Sequence, residues 1–163
     1  SSDVCSSDLW DRYFPEAKYI GEIGLDASPR FYPYFEKHYL SLINGILERL
    51  KGLGIPVTYF AKGVKPFLPL FHQIKANTLG VEMDLSMTEV DRVTQGKFSL
   101  QGNLSPDVLR GNIEMVRQDT RKLVQEARLL TRPAIINLGH GVKPDTPVEN
   151  VKAFVQEARS LWI

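Results

Sequence analysis

The sequence predicts an α/β fold of parallel βαβ units, on two observations. Short apolar runs alternate with longer segments whose apolar residues recur every three or four positions. The runs break at glycine, serine, proline or aspartate, where a strand leaves a sheet and a helix begins. Two architectures satisfy this pattern, an open doubly wound sheet and part of a (β/α)8 barrel. About five βα units would make half to two thirds of a barrel of about 250 residues. Neither a GxGxxG fingerprint nor a GxxxxGK[ST] loop is present, so the dinucleotide and P-loop folds lose their main signal.

The length of 163 residues suits one domain with a substantial core. A net charge of +1 gives no reason to expect nucleic acid or a membrane surface as partner. No apolar run approaches the roughly 20 residues that a membrane helix needs. The single cysteine, Cys5, rules out an internal disulfide and a cysteine-rich zinc site, and fits a reducing cytoplasm.

Residues 1–9, SSDVCSSDL, repeat Ser-Ser-Asp without periodicity and resemble translated sequencing-adapter read-through. They are set aside as a non-native or disordered tail, with the natural upstream part missing. Residues 10–27 form an uncertain segment, in which YIGEIGL (19–25) alternates like a strand. Ser28 as N-cap and Pro29 at the first helical position then open a helix to about Leu50. Its apolar face is Phe31, Phe35, Tyr39, Leu42, Ile43, Ile46, Leu47 and Leu50, and Gly52 and Gly54 end it.

IPVTYF (55–60) is the next expected strand, with a helix over 66–75 after it. TLGVEMD (78–84) is followed by Ser86 as N-cap and a short helix over Met87–Thr94. FSLQGNL (98–104) leads through Ser105-Pro106 into a long helix over about 106–129. AIINLG (134–139) is the last strand, read as buried. A helix over Val148–Trp162 follows it, with Val151, Phe154, Val155, Ala158 and Leu161 in one stripe.

In either architecture the carboxyl ends of the strands form the functional edge. The polar residues expected there are Asp26, Lys62, Asp84, Gln101, Asn103 and His140. His140 stands out: flanked by Gly139 and Gly141, it has no core wall to pack on and offers an exposed imidazole. Asn103 is equally a turn-former or a ligand group. Asp84 is either a cap, a job for which Ser86 is better placed, or a supporting residue. Lys62 is a solvated strand-end residue, or joins Lys65 and Lys143 in a basic rim for an anion. His38 and His72 lie within helices without ligand partners at metal spacing. No catalytic triad or metal cluster is predicted.

The motifs carry a resemblance. Leu100-Gln101-Gly102-Asn103-Leu104-Ser105-Pro106 resembles the LQGNLDP motif of the uroporphyrinogen decarboxylase family. NLGHG (137–141) and PDTP (144–147), ahead of ENVKAFV, resemble its C-terminal signature. PVTYFAKG (56–63), LGVEMDLSM (79–87) and Ser28-Pro29-Arg30-Phe31-Tyr32 with Phe35 are similar, in order, to further family segments. The resemblance implies a partial (β/α)8 TIM barrel, with residues 28–163 as its C-terminal part.

For the full protein it implies a homodimer in the cytoplasm. That protein would decarboxylate the four acetates of uroporphyrinogen III to give coproporphyrinogen III, in porphyrin and heme biosynthesis. It implies no metal and no organic cofactor. By resemblance His140 binds the tetrapyrrole substrate, and Lys62, Asp84, Asn103 and Ala27 line the site. The family's pyrrole-binding aspartate, active-site tyrosine and RQAGR arginines precede the matched region, so this stretch alone would hold no catalytic group and be inactive.

Two features depart from the pattern. Ala27 stands where the family's strand-end serine lines the site, and Leu85 where the family has an aromatic residue. GEIGLD (21–26) also resembles a metal-ligand motif of TatD-like metal-dependent nucleases, so a metal-dependent hydrolase is one alternative. A corrinoid-linked methyltransferase of the same fold group, using zinc held by His and Cys, is another. A partial barrel would leave two unpaired strand edges, at 19–25 or 55–60 and at 134–139, that invite association.

Overall fold

Apolar residues three and four apart build the first long helix, and one irregular turn decides which of them are buried. The computed structural model describes residues 32–161 of the chain. The helix opens with Tyr32–Tyr34, passes through a π-helical segment, Phe35–Leu40, and continues as α1, Ser41–Lys51. A π-turn inserts one extra residue and rotates everything after it by about 100°. Phe35, Tyr39 and Leu47 are accordingly buried with Leu40, whereas Leu42, Ile46 and Leu50 are 47%, 46% and 37% exposed. The single apolar face expected from the sequence is split. Gly52 does end the helix, its N–H donating to Glu48 O.

This helix and a 3-10 segment, Lys65–Gln73, belong to the first of two compact units, which runs to Ile55 and resumes over Phe60–Lys75. The α-helix expected at 66–75 is 3-10 because Pro69 has no N–H for an i→i−4 bond. Within the unit the Phe35 and Phe67 rings stack 4.1 Å apart. Asn44 donates to Gln73 O and accepts from Lys75 N, holding the end of the 3-10 segment.

The second unit, Pro56–Tyr59 and Ala76 onward, contains the sheet. Its strands are β1 (Thr58–Tyr59), β2 (Thr78–Gly80), β3 (Ser99–Leu104) and β4 (Ile135–Leu138). Its helices are α2 (Met87–Val93), α3 (Ile113–Ala127) and α4 (Val148–Leu161). All neighbouring strands are parallel, in the order β1-β2-β3-β4. A doubly wound sheet starts in its middle and reverses direction. Four strands in unbroken chain order are instead the wall of a (β/α)8 barrel. The strand expected at 19–25, Ala27, and the Ser28-Pro29 helix start lie outside the described residues.

The register sorts the side chains into two faces. Tyr59, Leu79 and Leu100 form one buried row, and Leu104 is buried on the same face. Helices α2 and α3 pack on β3. On the opposite face Thr58, Thr78 and Ser99 share a row, as do Gly80, Gln101 and Ile135, and Asn103 and Asn137. One face is therefore apolar and covered. The other, which a barrel turns inward, carries the hydroxyl and amide side chains. Ile135 is 48% exposed there. Strand β4, expected to be buried, is thus half open, because it pairs on one side only among the described residues.

The strands are shorter than expected. Pro56 cannot donate to a ladder, and β1 keeps two residues. β2 stops at Gly80, so Asp84 stands in the turn before α2 and not at a strand end. The helix expected from 106 begins at Ile113, after a 3-10 turn over Val108–Arg110. Asn112 caps it, its side chain accepting from Glu114 N. α2 has a double cap: Ser86 accepts from Glu89 N, and Glu126 of α3 accepts from Ser86 Oγ and Thr88 N. No described helix is long and apolar enough to cross a membrane.

Candidate functional site

Three loops leave the carboxyl edge of the sheet in the second unit: Val81–Ser86 after β2, Ser105–Asn112 after β3, and Gly139–Pro147 after β4. Local sequence dictates how they meet. Gly102 has φ +149°, a region that side-chain-bearing residues avoid, and a Cβ there would lie 2.8 Å from Val81 O. The next residue, Asn103, then donates Nδ2 to both Glu82 O, at 3.0 Å, and Leu85 O. Its amide nitrogen pins the β2 loop.

Gly139 continues the β3–β4 ladder through its N–H to Leu104 O at 2.9 Å. It is buried, and an added Cβ would stand 2.6 Å from Met83 N. Glycine is required there by the close approach of the β2 loop. Gly141 differs: no described residue lies within 4 Å of where its Cβ would be. The two glycines around His140 therefore have separate physical roles, and only the second leaves open space beside the ring.

His140 is exposed, and its Nδ1 accepts from Gly141 N at 2.8 Å. An imidazole accepting at Nδ1 carries its proton on Nε2 in the neutral form. The ring is set to donate a hydrogen bond outward to an anionic or carbonyl oxygen.

The loops after β3 and β4 are joined by a charged cluster and a buried amide. Arg110 donates through Nε and Nη2 to the same oxygen of Asp145, Oδ2, the Nε contact being 2.9 Å. Its Nη1 lies 3.3 Å from Asp107 Oδ1, and Lys143 Nζ lies 3.6 Å from that oxygen. The hydrogen bonds that Arg110 donates to Asp145, first, and to Asp107 raise its guanidinium pKa above the ordinary value. Asn150, at the start of α4 and 6% exposed, donates Nδ2 to Leu109 O at 2.8 Å and Gly111 O at 2.9 Å. Two carbonyls that flank the arginine are thereby satisfied.

Of the residues singled out in the sequence, Asp84, Asn103 and His140 come to this edge of the second unit. Asp84 is exposed in the β2 loop, and Ser86 fills the capping role. Lys62 is exposed in a bend of the first unit and Lys65 is exposed at the start of its 3-10 segment, so the second unit holds only Lys143 of the basic rim. Ala27 lies outside the described residues. Sequence reasoning missed Arg110, Asn137 and Asn150. Asn137 could have been found from the alternation of β4, which puts it in the row of Asn103. Arg110 and Asn150 act through contacts at sequence separations of 35 and about 40, for which there is no local signal. Among the described residues no group of three or more His, Cys, Asp or Glu side chains could hold a metal ion. Cys5 and Glu22, on which the zinc and nuclease alternatives depend, are outside them.

Comparison with known proteins adds three findings. Residues 28–161 match the family model described as uroporphyrinogen decarboxylase (URO-D). The uroporphyrinogen decarboxylase of Solibacter usitatus is 32% identical over 142 residues, which are 86% of this chain and 39% of that protein. That of Pseudomonas syringae pv. tomato is 31% identical over 139 residues, again 39% of its length. The chain therefore spans about two fifths of the curated relatives it matches. Among solved structures, a methyltransferase from Methanosarcina mazei superposes with a TM-score of 0.68 at 21% identity, covering 84% of this chain and 40% of the other. That likeness bears on the fold alone.

Proposed function

The chain belongs to the uroporphyrinogen decarboxylase family, and from that premise we propose that it is the C-terminal part of a cytoplasmic barrel enzyme that works as a homodimer. Its substrate is an octacarboxylate tetrapyrrole, uroporphyrinogen III. In the reaction each acetate loses CO2 as its C–C bond breaks, and a proton completes the methyl group that remains. This stretch supplies substrate binding. The groups that handle the proton belong to the part of the family's barrel that precedes the matched region, and the isolated polypeptide binds without turnover.

The observation that carries this reading is His140: exposed, at the end of β4, with Nδ1 occupied by Gly141 N and Nε2 left as donor. A carboxylate of the substrate is the acceptor that such a donor fits. Lys143 gives nearby positive charge, in part offset by Asp107. Asn103 serves the site by fixing the β2 loop, and Asp84 of that loop lines it. Lys62 and Ala27 remain proposed lining residues on family resemblance alone.

The test is titration of the purified chain with uroporphyrin III, the stable oxidised octacarboxylate, followed by fluorescence. The expected result is saturable binding that weakens about 10-fold in His140→Ala, as for one hydrogen bond to a charged group. Equal binding by wild type and variant would overturn the role of His140. Coproporphyrinogen formation by the isolated polypeptide would overturn the claim of inactivity.

A further inference from the structure

Two side chains of the β3 loop reach the β4 loop: Arg110 hydrogen-bonds Asp145, and Asp107 pairs with Lys143 at 3.6 Å. We propose that Arg110 is a positioning residue for His140: bound to Asp145, it holds the Gly139–Pro147 loop in the one conformation that presents the imidazole Nε2 to a ligand. The proposal rests on the reading of His140 as the substrate donor.

The loop is anchored at both ends without Arg110. At its start Gly139 is laddered to Leu104 and pressed on Met83. At its finish Asn150 is buried and bound to Leu109 and Gly111. Between the anchors His140–Asp145 is exposed. The one backbone–backbone hydrogen bond that this stretch makes among the described residues is at its far end, Thr146 N to Lys143 O. A segment with few internal bonds and little burial opens easily. Arg110 grips its far end, Asp145, with two N–H groups on one carboxylate oxygen, and Asp107 holds both the guanidinium and, at 3.6 Å, the Lys143 ammonium of the stretch.

Arginine suits the task better than lysine. Its planar fork gives two donors of fixed geometry, while an ammonium gives a point charge on a flexible stem. Exposed ion pairs add little to global stability. Loss of this one will therefore leave the fold intact and loosen the loop. The first property to respond is the bond from Gly141 N to His140 Nδ1, which sets the tautomer of the ring.

The experiment is 15N NMR of the histidine ring and hydrogen exchange of the amides at 140–146, on the full chain. Wild type, Arg110→Ala, Arg110→Lys and the charge-reversed pair R110D/D145R are compared. The expected result is an Nε2–H tautomer in wild type and a mixture in Arg110→Ala, with exchange at 140–146 faster by 10-fold or more. Arg110→Lys falls between, and the reversed pair restores the wild-type pattern. Unchanged tautomer and exchange in Arg110→Ala overturns the proposal.

Uroporphyrin III titration gives the second readout. Arg110→Ala and His140→Ala together weaken binding by less than the product of their separate effects, because one acts through the other. Strictly multiplicative losses overturn the proposal in favour of a direct contact between Arg110 and the ligand. Failure of wild type to bind uroporphyrin sinks the substrate reading, and the tautomer and exchange data still decide whether Arg110 positions the ring.

Discussion

The carboxyl ends of β3 and β4 lie side by side in one sheet and are built to opposite specifications. At the end of β3 the backbone adopts a conformation that only glycine tolerates, and the following asparagine spends its amide on two carbonyls of another loop. Just past the end of β4 the polar residue His140 is bound, among the described residues, to its neighbour's N–H alone. One strand end secures the scaffold and the other leaves its imidazole exposed. A polar residue at a functional edge is thus not a ligand group by position alone. What its side chain already holds decides the matter.

Substitutions can test that division, beginning with the largest effect. Gly102→Ala imposes a positive φ on a residue with a side chain and drives a Cβ to 2.8 Å from Val81 O. It should cost about 3 kcal/mol or more, read as a shift of the urea midpoint. Asn103→Ala removes the side-chain donor shared by the carbonyls of Glu82, which keeps Leu85 N, and Leu85, and should cost about 2 kcal/mol in the same assay. A loss no larger than that of an average surface substitution would remove β3 from the scaffold role.

The two glycines beside His140 sharpen the contrast within β4 itself. Gly139→Ala meets the Met83 backbone and should destabilise by about 1–2 kcal/mol. Gly141→Ala, in open space, should stay within about 0.5 kcal/mol of wild type. Equal effects would mean that the loop after β4 does not pack on Met83 as described. His140→Ala should leave the unfolding midpoint unchanged, for the exposed ring bonds to no other described element.

Much of this was legible in the sequence, and the gaps have physical causes. Alternating apolar runs and caps revealed the βα repeat, the position of α4, and Ser86 as the cap of α2. Those signals are local, and local propensity and periodicity record them. The π-turn over Phe35–Leu40 was not legible, because a single inserted residue leaves the composition unchanged while rotating Leu42, Ile46 and Leu50 out of the core. Neither was the late start of α3, where Asn112 caps a helix that the apolar pattern would have begun seven residues earlier. At the site, His140 announced itself by its glycines. Arg110, Asn150 and the true work of Asn103 depend on partners distant in the chain, and a linear pattern cannot show them.

The strand order has a kinetic consequence. Because each strand of the described sheet pairs with the one before it in the chain, the strand pairings join residues only some 20 to 34 positions apart. Low contact order speeds folding, since each loop is closed at small entropic cost before its contacts form. A polypeptide emerging from the ribosome could dock β2 on β1, then β3 on β2, each βα hairpin finding its template already in place. The loops that carry His140 and Arg110 would then be the last to order, set only when β4 and α4 arrive.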